Sequence, residues 1–172
     1  MKKFLCIFLF LVFFQALHAD LKTEALIKAK DYKVVITRDI WGVPHIEGKR
    51  DADVAFGIAY AHAEDDIDNL MANMSLYRAQ MGLTEGFEGA ITDYLIKALG
   101  VRERASSRYE SDLSSEVRKV IEAYADGLNY WATLNPESEY LNAFPITKED
   151  IVVGFALQNL FFSGVISSIE KL

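Results

Sequence analysis

Residues 151–162 read Ile-Val-Val-Gly-Phe-Ala-Leu-Gln-Asn-Leu-Phe-Phe. A helix of this content is apolar nearly all round, and such a helix has to be covered on most of its sides. Its start is marked by Thr147-x-x-Asp150, the pattern of a capping box with Asp where Glu is usual. The cover available upstream is limited. Val117, Val120, Ile121, Tyr124, Leu128 and Trp131 form a single stripe, which predicts one amphipathic helix. Ser114 stands where it caps that helix, and Asn135-Pro136 stops it. A second helical pattern runs through Val54, Ile58, Ala61, Ile67, Leu70, Met71, Met74, Tyr77 and Met81. Asp51 or Asp53 is placed to cap it and Gly82 to end it. Two stripes cannot enclose a third helix that is apolar on every side, so a partner polypeptide is expected over the remainder.

Ahead of these helices, residues 35–46 predict a strand, a tight turn and a second strand. Val34, Val35 and Ile36 are β-branched and suit a pleated surface. Gly42 supplies a backbone conformation other residues avoid, and Pro44 fixes φ beside it. Residues 20–31 are charged and read as a solvated lead-in helix. No repeat, low-complexity tract or Pro/Gly/Ser linker interrupts the chain. The expected class is α+β, mostly helical, with an N-terminal β-hairpin, organised as one domain.

The first nineteen residues read as a targeting segment. Lys2 and Lys3 precede an apolar run from Phe4 to Phe14, and Leu17-His18-Ala19 offers a small residue at the cleavage point. The run is shorter than the ~20 residues a bilayer needs. These features predict a signal peptide over 1–19, a mature chain over 20–172, a periplasmic or secreted location and no membrane segment in the mature form. Cys6, the single cysteine of the 172 residues, lies inside the signal. The mature chain would therefore hold no disulfide, thiol nucleophile or cysteine metal site. A net charge of −7 without a basic stripe argues against nucleic acid as a partner.

Candidate chemistry within the chain is sparse. His45 and His62 have no Gly-x-Ser-x-Gly elbow to activate, and structural hydrogen bonding is the expected role for both. Glu64, Asp65, Asp66 and Asp68 are too close in sequence for a helix to aim them at one point, so a solvated face is expected and not a metal site. Arg38 and Asp39 point to opposite faces of a strand and are expected to make structural ion pairs with other elements. No catalytic residue, metal ligand or cofactor site is predicted. Phe161 and Phe162, taken alone, read as ordinary core.

Order adds what composition does not. Arg38-Asp39-x-Trp41-Gly42-Val43-Pro44-His45-Ile46 resembles the opening of the small (α) chain of the penicillin acylase family, secreted amidases of the N-terminal-nucleophile hydrolase superfamily. Gly57 to Asp65, with Ala61, Ala63, Glu64 and Asp65, is similar to the family's Gly-x-x-x-Ala-x-Ala-Gln-Asp. Arg78 and Gly82 resemble its Arg-x-x-x-Gly. Asp93, Leu99-Gly100-Val101 and Arg104-Ala105 are similar to its next segment. Tyr124-Ala125-Asp126-Gly127-Leu128-Asn129 and Phe144-Pro145 to Asp150-Ile151 follow in the family's order.

The resemblance implies that the hairpin joins an αββα sandwich formed with a β chain of the same precursor, a heterodimer after autoproteolysis. It implies hydrolysis of an amide, with the hydroxyl nucleophile at the first residue of the β chain and that residue's own amine as base. Residues 20–172 would then be an α-subunit, inactive alone. By the same resemblance Phe161 and Phe162 are substrate-binding residues, lining the acyl pocket where benzylpenicillin-type members carry Arg-Phe. Where calcium-binding members carry Glu, this chain has Ser168, with Glu170 two residues on. Gly164-Val165 and Asp65-Asp66…Leu70 look more like acylases of acyl-homoserine lactones and lipopeptides. The implied substrates are small N-acyl compounds, either acyl-homoserine lactones or β-lactam and lipopeptide antibiotics. Two other readings stay open: a secreted, non-catalytic helical binding module, and a degenerate acylase homologue.

Overall fold

The computed structural model describes residues 21–163. The expected signal peptide, Gly164-Val165, Ser168 and Glu170 lie outside them. Residues 21–29 form helix α1. Strands β1 (Val34–Arg38) and β2 (Pro44–Gly48) follow, then helices α2 (Asp51–Tyr77), α3 (Gly82–Glu85), α4 (Phe87–Ala98), α5 (Val101–Asp112) and α6 (Ser115–Leu134). A 3-10 turn (Glu139–Ala143) leads to α7 (Lys148–Phe162). The fold is mostly helical with one antiparallel hairpin, in which Ile36 faces Ile46 and Thr37 faces His45.

The hairpin turn is held by Asp39. Its Oδ1 accepts from the Trp41 amide at 2.8 Å and the Val43 amide at 3.0 Å, while Gly42 takes φ +81°, a region glycine enters without a Cβ penalty. The Trp41 amide is the first of the contacts that hold the Asp39 carboxyl below its ordinary range. The tip itself is bare: Ile40, Trp41 and Val43 are all exposed.

Helix α2 starts at a capping box in which Asp53 is the third helical residue and Arg50 the N-cap. Asp53, one of the two expected caps, thus works one turn inside the helix. Its buried carboxylate accepts from the Arg50 amide at 3.1 Å and the Lys33 amide at 3.0 Å, tying the helix start to the chain entering β1. The Arg50 guanidinium does most to hold its carboxyl below the ordinary range. A kink at Asp66 (φ −151°, ψ 50°) divides α2.

Gly82 does not end this helix, as the sequence pattern had suggested. The helix stops at Arg78, and Ala79 takes the positive φ of 51°. Gly82 opens α3 instead, because the Asp93 carboxylate accepts from the Met81 and Gly82 amides at 2.8 Å each. A partner eleven residues downstream is invisible to a local helix-stop rule.

The core lies between α2 and α6. Ala59, Ala63, Leu70 and Met74 meet Ile121, Leu128 and Trp131, with Ile151 of α7 joining them. The helices approach closely at Gly127, where a Cβ would come within 2.4 Å of the Phe56 carbonyl oxygen. Leu128 is fully buried, worth about 1.5–3 kcal/mol relative to exposure. Asn129 then ties α6 to the approach to α7: its Oδ1 accepts from the Ile146 amide at 2.7 Å and its Nδ2 donates to the Ile146 carbonyl at 2.8 Å. Ser114 caps α6 through the Val117 amide, and Asn135 ends it, as the sequence indicates.

Helix α7 begins at the Thr147–Asp150 capping box. Ile151, Val153, Gly154 and Leu157 are buried, and α2, α5 and α6 pack against that side. Phe155, Phe161 and Phe162 are exposed. The described residues therefore cover one side of this helix and leave the other open.

Candidate functional site

The start of α7 is fixed by a buried charge. Asp150 is 1 % exposed. Arg78, from the end of α2, donates to it through Nε at 3.1 Å and Nη2 at 2.6 Å. Arg102 of α5 donates to the same carboxylate, and the Thr147 amide and hydroxyl donate at 2.9 and 3.0 Å. Arg78 also donates to the carbonyls of Ala143 at 2.5 Å and Pro145 at 2.8 Å. Burial pushes the Asp150 carboxyl up, but Arg78, the Thr147 amide and Arg102 outweigh it and hold its pKa at about 2. Sequence reasoning saw Asp150 only as a cap and singled out Arg104 in the α5 segment, where the structure uses Arg102.

At the other end of α7 stand the predicted site residues. Phe161 is 43 % exposed and Phe162 is 83 % exposed, which does not fit ordinary core in this chain. Phe155, seven residues before Phe162, is 62 % exposed and borders a cleft of ≈ 280 Å³ between α2, α6 and α7. Positions seven apart share one face of a helix, so Phe155 and Phe162 belong to the same open side. Phe161 and Phe162 come from this one helix.

The histidines are structural. His45 Nε2 lies 3.3 Å from Asp39 Oδ2 inside the hairpin. His62 Nδ1 shares a 2.6 Å hydrogen bond with the Tyr124 hydroxyl, whose pKa burial pushes up to about 12.

The acidic run is exposed, as expected, but its carboxylates do not simply fan into solvent. Glu64 and Asp65 converge on Arg38, at 2.9 and 2.8 Å, and Arg38 also donates to the Gly42 carbonyl at 2.8 Å. One long guanidinium at the end of β1 reaches both carboxylates and so joins hairpin to helix. Asp66 accepts from Asn69 at 2.9 Å and Asp68 from the Tyr140 hydroxyl at 2.9 Å. Arg38 thus pairs with another element, as expected, whereas Asp39 serves its own turn. Among the described residues no group of three His, Cys, Asp or Glu side chains is placed to hold a metal ion, and no helix is long and apolar enough to cross a membrane.

The sequence segments that carried the family resemblance are therefore joints: Arg38 to Glu64 and Asp65, Arg78 to Asp150, Gly82 to Asp93, Gly127 to Phe56, Asn129 to Ile146. The penicillin amidase family model matches residues 33–166, a span that holds all of them. Acyl-homoserine lactone acylase QuiP of Pseudomonas putida is 29 % identical over 103 residues, 60 % of this chain and 12 % of that protein. Penicillin acylase 2 proenzyme of Pseudomonas sp. strain SE83 is 33 % identical over 98 residues, 56 % of this chain and 12 % of that protein. The matched part is thus about an eighth of the length of these curated relatives. Among solved structures, thermostable penicillin G acylase from Alcaligenes faecalis has the same fold, with a TM-score of 0.56 at 24 % identity over 72 % of this chain and 70 % of that one. With the family model matching well over half of its length, this chain belongs to the penicillin amidase family.

Proposed function

We propose that the chain is the α-subunit of a periplasmic or secreted amidohydrolase that cleaves N-acyl compounds with water to a carboxylic acid and an amine. The nucleophile and its base lie on a β chain of the same precursor, whose sandwich the hairpin joins. The observation that carries this reading is the bare aromatic end of α7 on a chain of this family. Phe161 and Phe162 are one wall of the acyl pocket, and the β chain is the other. One fact supports a partner chain: a relative is named a proenzyme and is about eight times as long as the matched segment.

An apolar wall favours aliphatic acyl groups. Each CH₂ taken out of water contributes roughly 0.8 kcal/mol. Four extra buried carbons amount to ~3 kcal/mol, about a hundredfold in kcat/KM when realised in the transition state. The test is a kcat/KM series on butanoyl, octanoyl, dodecanoyl and phenylacetyl amides with the co-expressed chains. Long aliphatic amides should lead, and Phe162→Ala should slow them more than butanoyl. A preference for phenylacetyl, or equal slowing of all, refutes the pocket assignment. Export is tested separately by N-terminal sequencing of envelope protein. The mature chain should begin at Asp20; a mature chain that keeps Lys2 and Lys3 refutes the signal peptide.

A further inference from the structure

We propose that the tip of the β1–β2 hairpin is a pre-formed anchor for the β chain, with Trp41 seated in an apolar socket of that chain. This rests on the two-chain reading above and names a contact that holds the two chains together.

Ile40 is 90 % and Trp41 82 % exposed. With Val43, also exposed, they make an apolar knob on a turn that is fixed at each step. The Gly42 amide donates to the Asp39 carbonyl at 3.0 Å, and the Asp39 amide to the Val43 carbonyl at 3.2 Å. The Asp39 carboxylate holds the Trp41 and Val43 amides besides. Arg38 joins the Gly42 carbonyl to Glu64 and Asp65 of α2. The base of the hairpin lies so close to α2 that a Cβ on Gly57 would come within 2.6 Å of Val34 and 2.7 Å of Ile46. The knob is therefore aimed before a partner arrives. Such pre-organisation lowers the ordering cost of association, and Trp is among the residues whose burial at an interface carries most of the binding.

Charge selects the occupant. Three carboxylates, those of Asp39, Glu64 and Asp65, gather beside the knob around Arg38 and His45. Segments that lie on anionic lipid are instead rich in Lys and Arg. Two copies of this chain meeting tip to tip would press the same carboxylates together, which opposes association. The rest of the precursor meets neither objection. It is tethered to the knob until processing and so meets it at high effective concentration. In the relative named a proenzyme, about seven-eighths of the length lies outside the matched segment.

The experiment uses the co-expressed, processed two-chain protein. With photo-reactive p-benzoylphenylalanine in place of Trp41, irradiation should join the α and β chains, and peptide mapping should place the bond in an apolar segment of the β chain. A cross-link only to the chain's own residues, only to a second α chain, or to no polypeptide overturns the inference. Trp41→Ala should weaken association of the chains about thirtyfold or more, the loss of a dominant interface side chain, read by native mass spectrometry across a dilution series. Asp39→Ala leaves the Trp41 ring in place but frees its turn, and should weaken association too. Asp39→Asn keeps an acceptor for the Trp41 and Val43 amides and should restore it. If Trp41→Ala yields no assembled protein, the cross-link decides. A parent and a Trp41→Ala variant that associate equally and both hydrolyse N-acyl amides overturn this inference alone. A parent that purifies with no β chain overturns the two-chain reading with it.

Discussion

The Asp150 cluster can be broken from one side, and the cost follows from its geometry. Arg78→Ala removes two hydrogen bonds to Asp150 and two to the Ala143 and Pro145 carbonyls. A carboxylate 1 % exposed is left with Arg102 and the Thr147 cap. Breaking a buried ion pair from one side costs about 3–5 kcal/mol. Arg102 remains as a partner, so the low end applies, about 3 kcal/mol. The loss should be local to α7. Hydrogen exchange of the α7 amides in the assembled protein should speed up by about two orders of magnitude, with α2 and α6 amides little changed. Arg78→Lys, which keeps the charge but loses the fork, should fall between. Acid reports the same contact. The Asp150 pKa is about 2 in the fold against an ordinary 3.8. A carboxyl depressed by folding contributes stability above its ordinary value and loses it as pH falls through the folded one. About 2 kcal/mol should therefore disappear between roughly pH 4 and pH 2. In Arg78→Ala the folded pKa rises towards the ordinary value, so the loss on acidification should be smaller and end at a higher pH. Unchanged α7 protection, or equal loss in α2 and α6, would refute the view that this cluster anchors α7.

Two further outcomes are expected. Gly127→Ala places a methyl 2.4 Å from the Phe56 carbonyl oxygen and 2.9 Å from Ala59 Cβ; overpacking of this kind costs about 1–3 kcal/mol, and an unchanged melting temperature would show that α2 and α6 separate freely. Residues 20–172 expressed alone should bind a hydrophobic dye and lack sharp near-ultraviolet dichroism, because Phe155, Phe162 and Trp41 are bare; a cooperative melt without dye binding would contradict this.

What could be read from the chain was local. The hairpin follows from β-branched residues around a Gly42 turn, and the starts of α6 and α7 follow from Ser114 and Thr147, whose partners lie three residues away. What escaped depends on distant partners. Asp93 reaches back to Gly82, Arg38 gathers Glu64 and Asp65 from 26 and 27 residues on, and Arg78 meets Asp150 across 72 residues. Spacing rules carry no information about such pairs. Order within a known family flagged several of these residues without saying what they touch. The aromatic end of α7 was legible as a candidate site only through that resemblance; its exposure came from the fold.

The position of the buried Asp150 has a mechanical consequence. Twelve residues of helix, about 18 Å, separate this fixed pivot from the free tip at Phe162. A tilt of about 5° at the pivot swings the tip by roughly 1.5 Å, and a misplacement of that size at a reacting substrate costs about a hundredfold in rate. On the proposed function, rigidity at Arg78 and Arg102 would set the aim of a wall neither residue touches, and the tip side chains could change to suit another acyl group while the pivot holds.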